Sequence, residues 1–269
     1  MSAANSIIGA ILGAALSRLS GMPLVGLALL SAVAAVVMLL IIKATSNQAR
    51  LAVVKRSIHA CIYEVRLFSS DAPAVFRAMG ELLRHQLTYL RLSLVPLFVM
   101  VLPFGLLLAH LDAYYGVADL PPGRATLVKV RMKDSTGPPR LVVPNGVSVE
   151  TPAVWIPSLR EAAWRISTTA PGDYELSIAT GDAVVTKRLT TTAGIVRRSP
   201  VRPCARILDQ LWHPAESPVP RESAVESVSV IYPSRSIDVL GWNFHWLLVF
   251  FVLTMGFALA LKSTLRVVV

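Results

Sequence analysis

The chain has 269 residues, of which 54% are apolar and only 16% charged, with a mean hydropathy of +0.59 and a formal net charge of +10. A soluble domain carries about 25% charged residues, so this composition excludes an ordinary soluble nucleic-acid binder and a disordered tail. It points instead to a membrane protein whose basic residues set its topology. Two cysteines, Cys61 and Cys204, cannot form a disulfide scaffold.

The first 20 residues contain Ser6 to Leu19, too short to span a bilayer, with Ile7, Ile8, Ile11, Leu12, Ala15 and Leu19 at helical spacing. This segment reads as an outer interfacial amphipathic helix; a frayed terminus is the alternative. A bilayer core about 30 Å thick requires roughly 20 apolar residues in helix. Three stretches meet that length: Met22 to Ile42, Leu92 to Leu111 and Trp242 to Leu261. They define spans over 21–43, 92–112 and 242–262, leaving a tail over 263–269. The first run, Met22 to Ile42, is about 21 residues, longer than the 7–15 residues of a signal-peptide core.

Between the first two spans, residues 44–91 join Lys43 in carrying eight basic and three acidic residues. Short basic loops stay in the cytoplasm, which places the N-terminus outside and the C-terminus in the cytoplasm of an inner (plasma) membrane protein. Tyr114 and Tyr115 after the second span, with Trp242 and Trp246 opening the third, are then expected as anchors at the outer interface.

The basic loop reads as a helical hairpin. Leu51, Val54, Ile58, Cys61, Val65 and Phe68 follow a heptad seam. Asp71 and Pro73 mark the start of a second helix, whose apolar positions are Phe76, Met79, Leu83, Leu87 and Leu90. That helix is expected to run on into the second span. The basic face, with Arg50, Lys55, Arg56, Arg66, Arg77, Arg84 and Arg91, is the candidate contact for anionic headgroups, the ribosome or a nascent client chain. The plainer alternative is topological charge and nothing more.

From residue 113 to 241 the pattern changes to short alternating runs separated by turn residues. Candidate strands are 125–132, 141–143, 147–150, 161–167, 174–179, 183–190 and 227–232, with a hairpin closed by residues 179–182. Seven short strands predict an extracytoplasmic all-β, Ig-like sandwich, with Trp155 and Trp164 in its core. Residues 206–213 read as a short helix. The fold class is therefore an α-helical membrane protein of three spans and a cytoplasmic hairpin, carrying an outer β-sandwich.

The five histidines, His59, His85, His110, His213 and His245, match no metal-ligand spacing, and no phosphate-binding or nucleophile motif is present. His110 and Asp112 read either as a proton relay or as a wet interfacial pair. The expectation is a non-enzymatic protein with no catalytic residues, no metal and no cofactor. Its expected partners are the lipid bilayer and other membrane proteins, with no specific DNA.

The segment Glu64-Val65-Arg66-Leu67-Phe68 leading to Asp71, the arm Phe76 to Arg91, and the approach Leu92-Ser93-Leu94-Val95-Pro96-Leu97 to Leu102-Pro103-Phe104 carry a resemblance. The order of elements over residues 1–112 and 242–266 is similar to the insertase superfamily of YidC, the mitochondrial oxidase-assembly proteins and the ER membrane complex. It looks most like the minimal three-span members. The resemblance implies an insertase-like or chaperone-like factor, working through a partly hydrated groove open to the cytoplasm and to lipid. Ser31, Ser93, Pro96, Pro103 and Thr254 are the groove or kink candidates on that reading. The chain departs from the pattern twice: its first span lacks the groove arginine of many members, and some 130 residues separate its last two spans. The alternative is a structural accessory subunit of a larger inner-membrane complex, docked through its spans and outer domain.

Overall fold

The computed structural model describes residues 9–14, 16, 19, 21–134, 137–181, 183–239, 241–265 and 267. Of the expected N-terminal helix, residues 9–14 and 16 are helical, while 6–8 and Arg18 lie outside the described residues, as does Arg266 in the tail. The chain divides into two compact units, Met1–Gly26 with Gly105–Val249 and Leu27–Phe104 with Phe250–Val269.

Three long helices hold the first part of the chain. Helix α1 is Pro23–Thr45, α2 is Gln48–Leu67 and α3 is Ala72–Tyr115. α1 and α3 are long and apolar enough to cross a membrane; at 1.5 Å per residue they measure about 35 and 66 Å. α2 begins where the Asn47 side chain accepts the Arg50 amide at 3.0 Å. α3 begins where the Asp71 carboxylate accepts the Ala74 amide at 3.4 Å, a capping role open to Asn and Asp alike. α3 continues unbroken through Pro96 and Pro103, each of which removes one backbone donor from the helical ladder.

In the second unit the inward face of α1 is Leu27, Ser31, Ala34, Ala35 and Leu39, all at most 3% exposed. Small residues at this spacing let helices approach closely. Within α3, one stripe turns inward along Ala78, Leu82, His85, Tyr89, Ser93, Pro96, Met100 and Phe104, all buried or half-buried. This corrects the expected second seam of the hairpin. Phe76, Met79, Leu83, Leu87 and Leu90 are all exposed, Phe76 by 74%. Because α3 is one continuous helix, the facing phase of its hairpin arm is fixed together with that of its apolar part. The stripe of Ala78, Leu82, His85 and Tyr89 therefore takes the inner face.

The other unit holds the strands. β1 (Thr126–Met132), β3 (Val147–Val149), β4 (Val154–Ile156), β5 (Glu161–Thr168), β8 (Val201–Arg202) and β9 (Val225–Val230) make one sheet, ordered β3-β5-β1-β9-β8, with β4 also on β5. β2 (Arg140–Val142), β6 (Asp173–Thr180) and β7 (Ala183–Thr190) make a second. β6 and β7 pair from Asp173↔Thr190 to Thr180↔Ala183, with Gly181 at φ +57° in the turn, a conformation glycine adopts without Cβ strain.

Alternation puts Val128, Val130 and Met132 of β1 and Ala162, Trp164 and Ile166 of β5 into one core with Leu176, Ile178, Val185 and Leu189 of the second sheet. Two sheets closed on a shared apolar interior make a sandwich-like arrangement. Trp164 is in this core, and Trp155 packs half-buried against it. Helix α4 is Ile207–Trp212.

The expected third span begins later than the hydropathy indicates. β10 (Ser236–Val239) pairs antiparallel with β11 (Trp242–His245), and α5 is Trp246–Leu261. Gly241 at φ +87° closes the strand pair, its amide donating to the Asp238 carboxylate at 2.9 Å. The Leu247 amide then donates to His245 Nδ1 at 3.3 Å, and the helix starts. α5 is a shorter apolar helix of 16 residues, about 24 Å long.

Candidate functional site

The hairpin supplies the first candidate surface. Arg50, Arg56, Arg66, Arg77, Arg84 and Arg91 are exposed, and Lys55 is half-buried. Arg77, Arg84 and Arg91 recur every seven residues along α3, beside the exposed apolar stripe Phe76, Met79, Leu83, Leu87 and Leu90. The arm therefore presents an apolar face edged with arginines. Spacing alone had assigned that face to the inside.

At the junction of α1, α2 and α3 lies a recess of about 130 Å³, lined by Ser46, Leu51, Tyr89, Ser93, Pro96 and Met100 among others. Ser93 donates to the Tyr89 carbonyl at 2.9 Å, and Ser46 donates to the Ile42 carbonyl at 2.5 Å. Its wall is mainly apolar, with these hydroxyls and Tyr89 as the polar groups in it, and it is large enough for several waters. Of the groove candidates, Ser93 and Pro96 meet here, whereas Pro103 is exposed on the apolar part of α3.

Ser31 and Thr254 lie elsewhere, in tight helix packing. Ser31 Oγ is 3.5 Å from the Phe250 carbonyl, the carbonyl that the Thr254 amide also meets one helical turn on. Ser31 is 0% and Thr254 3% exposed, and the Thr254 hydroxyl has no hydrogen-bond partner among the described residues. Phe104 stacks on Phe250 with ring centroids 6.0 Å apart.

The expected outer anchors divide into two kinds. Tyr114 donates to the Gly9 carbonyl at 3.2 Å and Tyr115 to the Pro23 carbonyl at 3.3 Å. The Tyr115 and Trp246 rings stack at 6.5 Å, and all three residues are at most 3% exposed. They tie helix ends together. Trp242, in β11, is 71% exposed. His110 is buried, with Nδ1 2.9 Å from the Leu106 carbonyl, so its ring is held by its own helix.

The two arms of the hairpin bring Cys61, Glu64 and Glu81 together, with their potential ligand atoms within 4.8 Å of one another. Burial, then the charges of Glu81 and Glu64, push the Cys61 thiol above its ordinary pKa, which keeps it protonated and a poor metal ligand at neutral pH. Spacing could not find this cluster, because Glu81 belongs to the other arm.

The strand-bearing unit holds an open cleft of about 730 Å³, lined by Lys133, Cys204, Ile207, Leu208, Asp209 and Arg221 among others. Lys133 Nζ donates to the carbonyls of Arg221 and Ser223 at 2.7 and 2.6 Å. Cys204 donates to Asp209 at 2.8 Å. Burial and that hydrogen bond raise the Cys204 pKa, the opposite of an activated thiol.

No protein-family model matches the chain, and no match is found among curated proteins or solved structures.

Proposed function

We propose that this is an integral membrane protein of the inner (plasma) membrane that assists the insertion or assembly of other membrane proteins. Its N-terminus would be outside, its hairpin in the cytoplasm, and α1, α3 and α5 its spans. The observation that carries the reading is the exposed apolar stripe of Phe76, Met79, Leu83, Leu87 and Leu90, flanked by Arg77, Arg84 and Arg91, on the arm that continues without a break into an apolar helix. An apolar client segment with polar flanks is complementary to such a face: its side chains meet the stripe, and acidic flanks or anionic headgroups meet the arginines. A small recess at Ser46, Ser93 and Tyr89 lies along the same helix, where water held by these side chains would lower the cost of bringing polar groups toward the membrane.

Charge placement supports this orientation. Ten basic and three acidic residues fall on the cytoplasmic side, against sixteen and thirteen outside. The experiment is depletion of the protein followed by pulse-labelled insertion of client proteins with short translocated tails. Insertion should fall and be restored by the native chain but not by a Leu83→Glu/Leu87→Glu variant. Unchanged insertion on depletion overturns the reading.

The same unpartnered stripe also fits a permanent accessory subunit of a larger membrane complex, with an Ig-like outer domain as a second docking element. Native purification separates the two: a stoichiometric partner that survives salt and detergent supports the subunit reading, and an isolated chain opposes it.

A further inference from the structure

We propose that α4 of the strand-bearing domain is an interfacial foot that rests in the outer leaflet of the bilayer, with Ile207, Leu208 and Trp212 in contact with lipid. The proposal rests on the reading that α3 crosses the membrane.

The first observation is that α4 is amphipathic in the inverted sense. Its polar residues are half-buried and bonded to the segment just before the helix: Asp209 accepts the Cys204 thiol at 2.8 Å, and Gln210 donates to the Ala205 carbonyl at 3.1 Å. Ile207, Leu208 and Trp212 are exposed by 62%, 69% and 62%, Ile207 and Leu208 on the wall of the open cleft that Asp209 and Arg221 also line. Leu208 and Trp212 are one helical turn apart and share a face. A helix beside water does the reverse, because exposed apolar area is costly there.

The second observation is depth. Trp212 and His213 line one small cavity with Ala109, Asp112 and Ala113 of α3. The uncharged run of α3 ends at Leu111, so Ala109 is inside it and Asp112 just beyond. Trp212 is therefore level with the boundary between hydrocarbon and headgroups, where tryptophan is favoured. Arg206, exposed at the start of α4, has a side chain long enough to reach headgroup phosphate while its stem stays near the acyl chains. Six residues give a helix about 9 Å long, fitted to lie on the interface and too short to cross it.

The test uses the full chain in vesicles of phosphatidylcholine and phosphatidylglycerol. In a Cys61→Ser/Cys204→Ser background, Leu208→Cys and, separately, Val101→Cys carry an environment-sensitive fluorophore. Nitroxides are placed on the lipid either near the glycerol or near the chain end. The label at 208 should be quenched at least about twofold by the shallow nitroxide and less by the deep one, as for an interfacial helix. The label at 101, mid-way along the apolar run, should show the opposite order. If 101 is quenched by lipid and 208 only by aqueous iodide, the foot is overturned while the span stands. If 208 is blue-shifted but untouched by either quencher, a protein partner or a second copy covers this face and the proposal is equally overturned. If 101 is not quenched by lipid, the membrane reading itself fails.

Discussion

The Tyr115 hydroxyl donates to the backbone carbonyl of Pro23, so the last residue of α3 is bonded to the first residue of α1. The contact is close enough to dictate what else fits: a Cβ on Gly26 would lie 2.8 Å from that hydroxyl oxygen. Tyr115→Phe should cost about 1 kcal/mol through the lost hydrogen bond. Gly26→Ala should cost about 1–3 kcal/mol, because it overpacks the same spot. The double variant should cost less than the sum of the two, since removing the hydroxyl removes the atom in the way. Thermal unfolding of the detergent-purified chain, followed by near-ultraviolet circular dichroism, measures all three.

Lys187 is fully buried, with Nζ 2.5 Å from the Glu216 carboxylate and 2.6 Å from the Ser199 carbonyl. Burial pulls the Lys187 pKa down, and Glu216 partly restores it. Glu216→Gln should therefore destabilise by about 3–5 kcal/mol, because it strands a buried cation. Lys187→Met combined with Glu216→Leu should recover most of that loss. The Arg188 amide, which also donates to Glu216 at 3.0 Å, limits how complete the recovery is. Denaturant titrations of the single and double variants decide.

Tyr232 is buried behind β7, and its hydroxyl accepts the Thr190 amide at 3.1 Å. Burial pushes its pKa up to about 12, against the smaller opposing effect of the Thr190 amide. The unfolded chain loses this proton near pH 10 while the folded chain keeps it, so stability falls as pH rises from about 10 to 12 and is unaffected by this group below about 10. The loss approaches about 2–3 kcal/mol. Tyr232→Phe should flatten that part of the profile, at a cost of about 1–3 kcal/mol at neutral pH for the unpaired Thr190 amide. Denaturation midpoints of native and variant chains at a series of pH values give the difference directly.

Arg77, Arg84 and Arg91 are exposed on α3. Replacing all three with glutamine should leave thermal stability within about 0.5 kcal/mol per site. Association of the chain with clients or with anionic headgroups should weaken, and its dependence on salt should flatten. Sedimentation with client segments at increasing ionic strength reads this; unchanged association would assign the arginines to topology alone.

Much of this architecture is legible in single residues. Asp71 and Pro73 mark the start of α3 because a carboxylate that caps and a ring that pre-sets φ act locally. The alternation in β1 and the turn before Ala183 are equally local signals. β4 is not legible, because the four residues between Pro152 and Pro157 carry too little pattern, and the strand conformation of Val154–Ile156 comes from pairing Val154 to Ala163. The start of α5 was obscured because Trp242 and Phe244 are as apolar as the helix that follows, while their pairing across Gly241 makes them a strand. Of the candidate site residues, Ser93 and Pro96 reach the recess, while Ser31 and Thr254 are taken up by helix packing. Hydropathy does not distinguish these outcomes.

Sequence alone determined that α1 and α3 are long apolar helices, that the charge between them is strongly basic, and that the region after Tyr115 alternates as strands do. These are properties of composition and short-range period. The tertiary structure decided which face of each helix is hidden. It turned Ala78 inward and Phe76 outward, folded Tyr115 and Trp246 into the protein, and left Trp242 and the Ile207, Leu208 and Trp212 side chains of α4 exposed. The physical reason is that a helix's phase and a strand's partner are fixed by contacts between residues far apart in the chain, such as Tyr115 with Pro23, which no local pattern encodes.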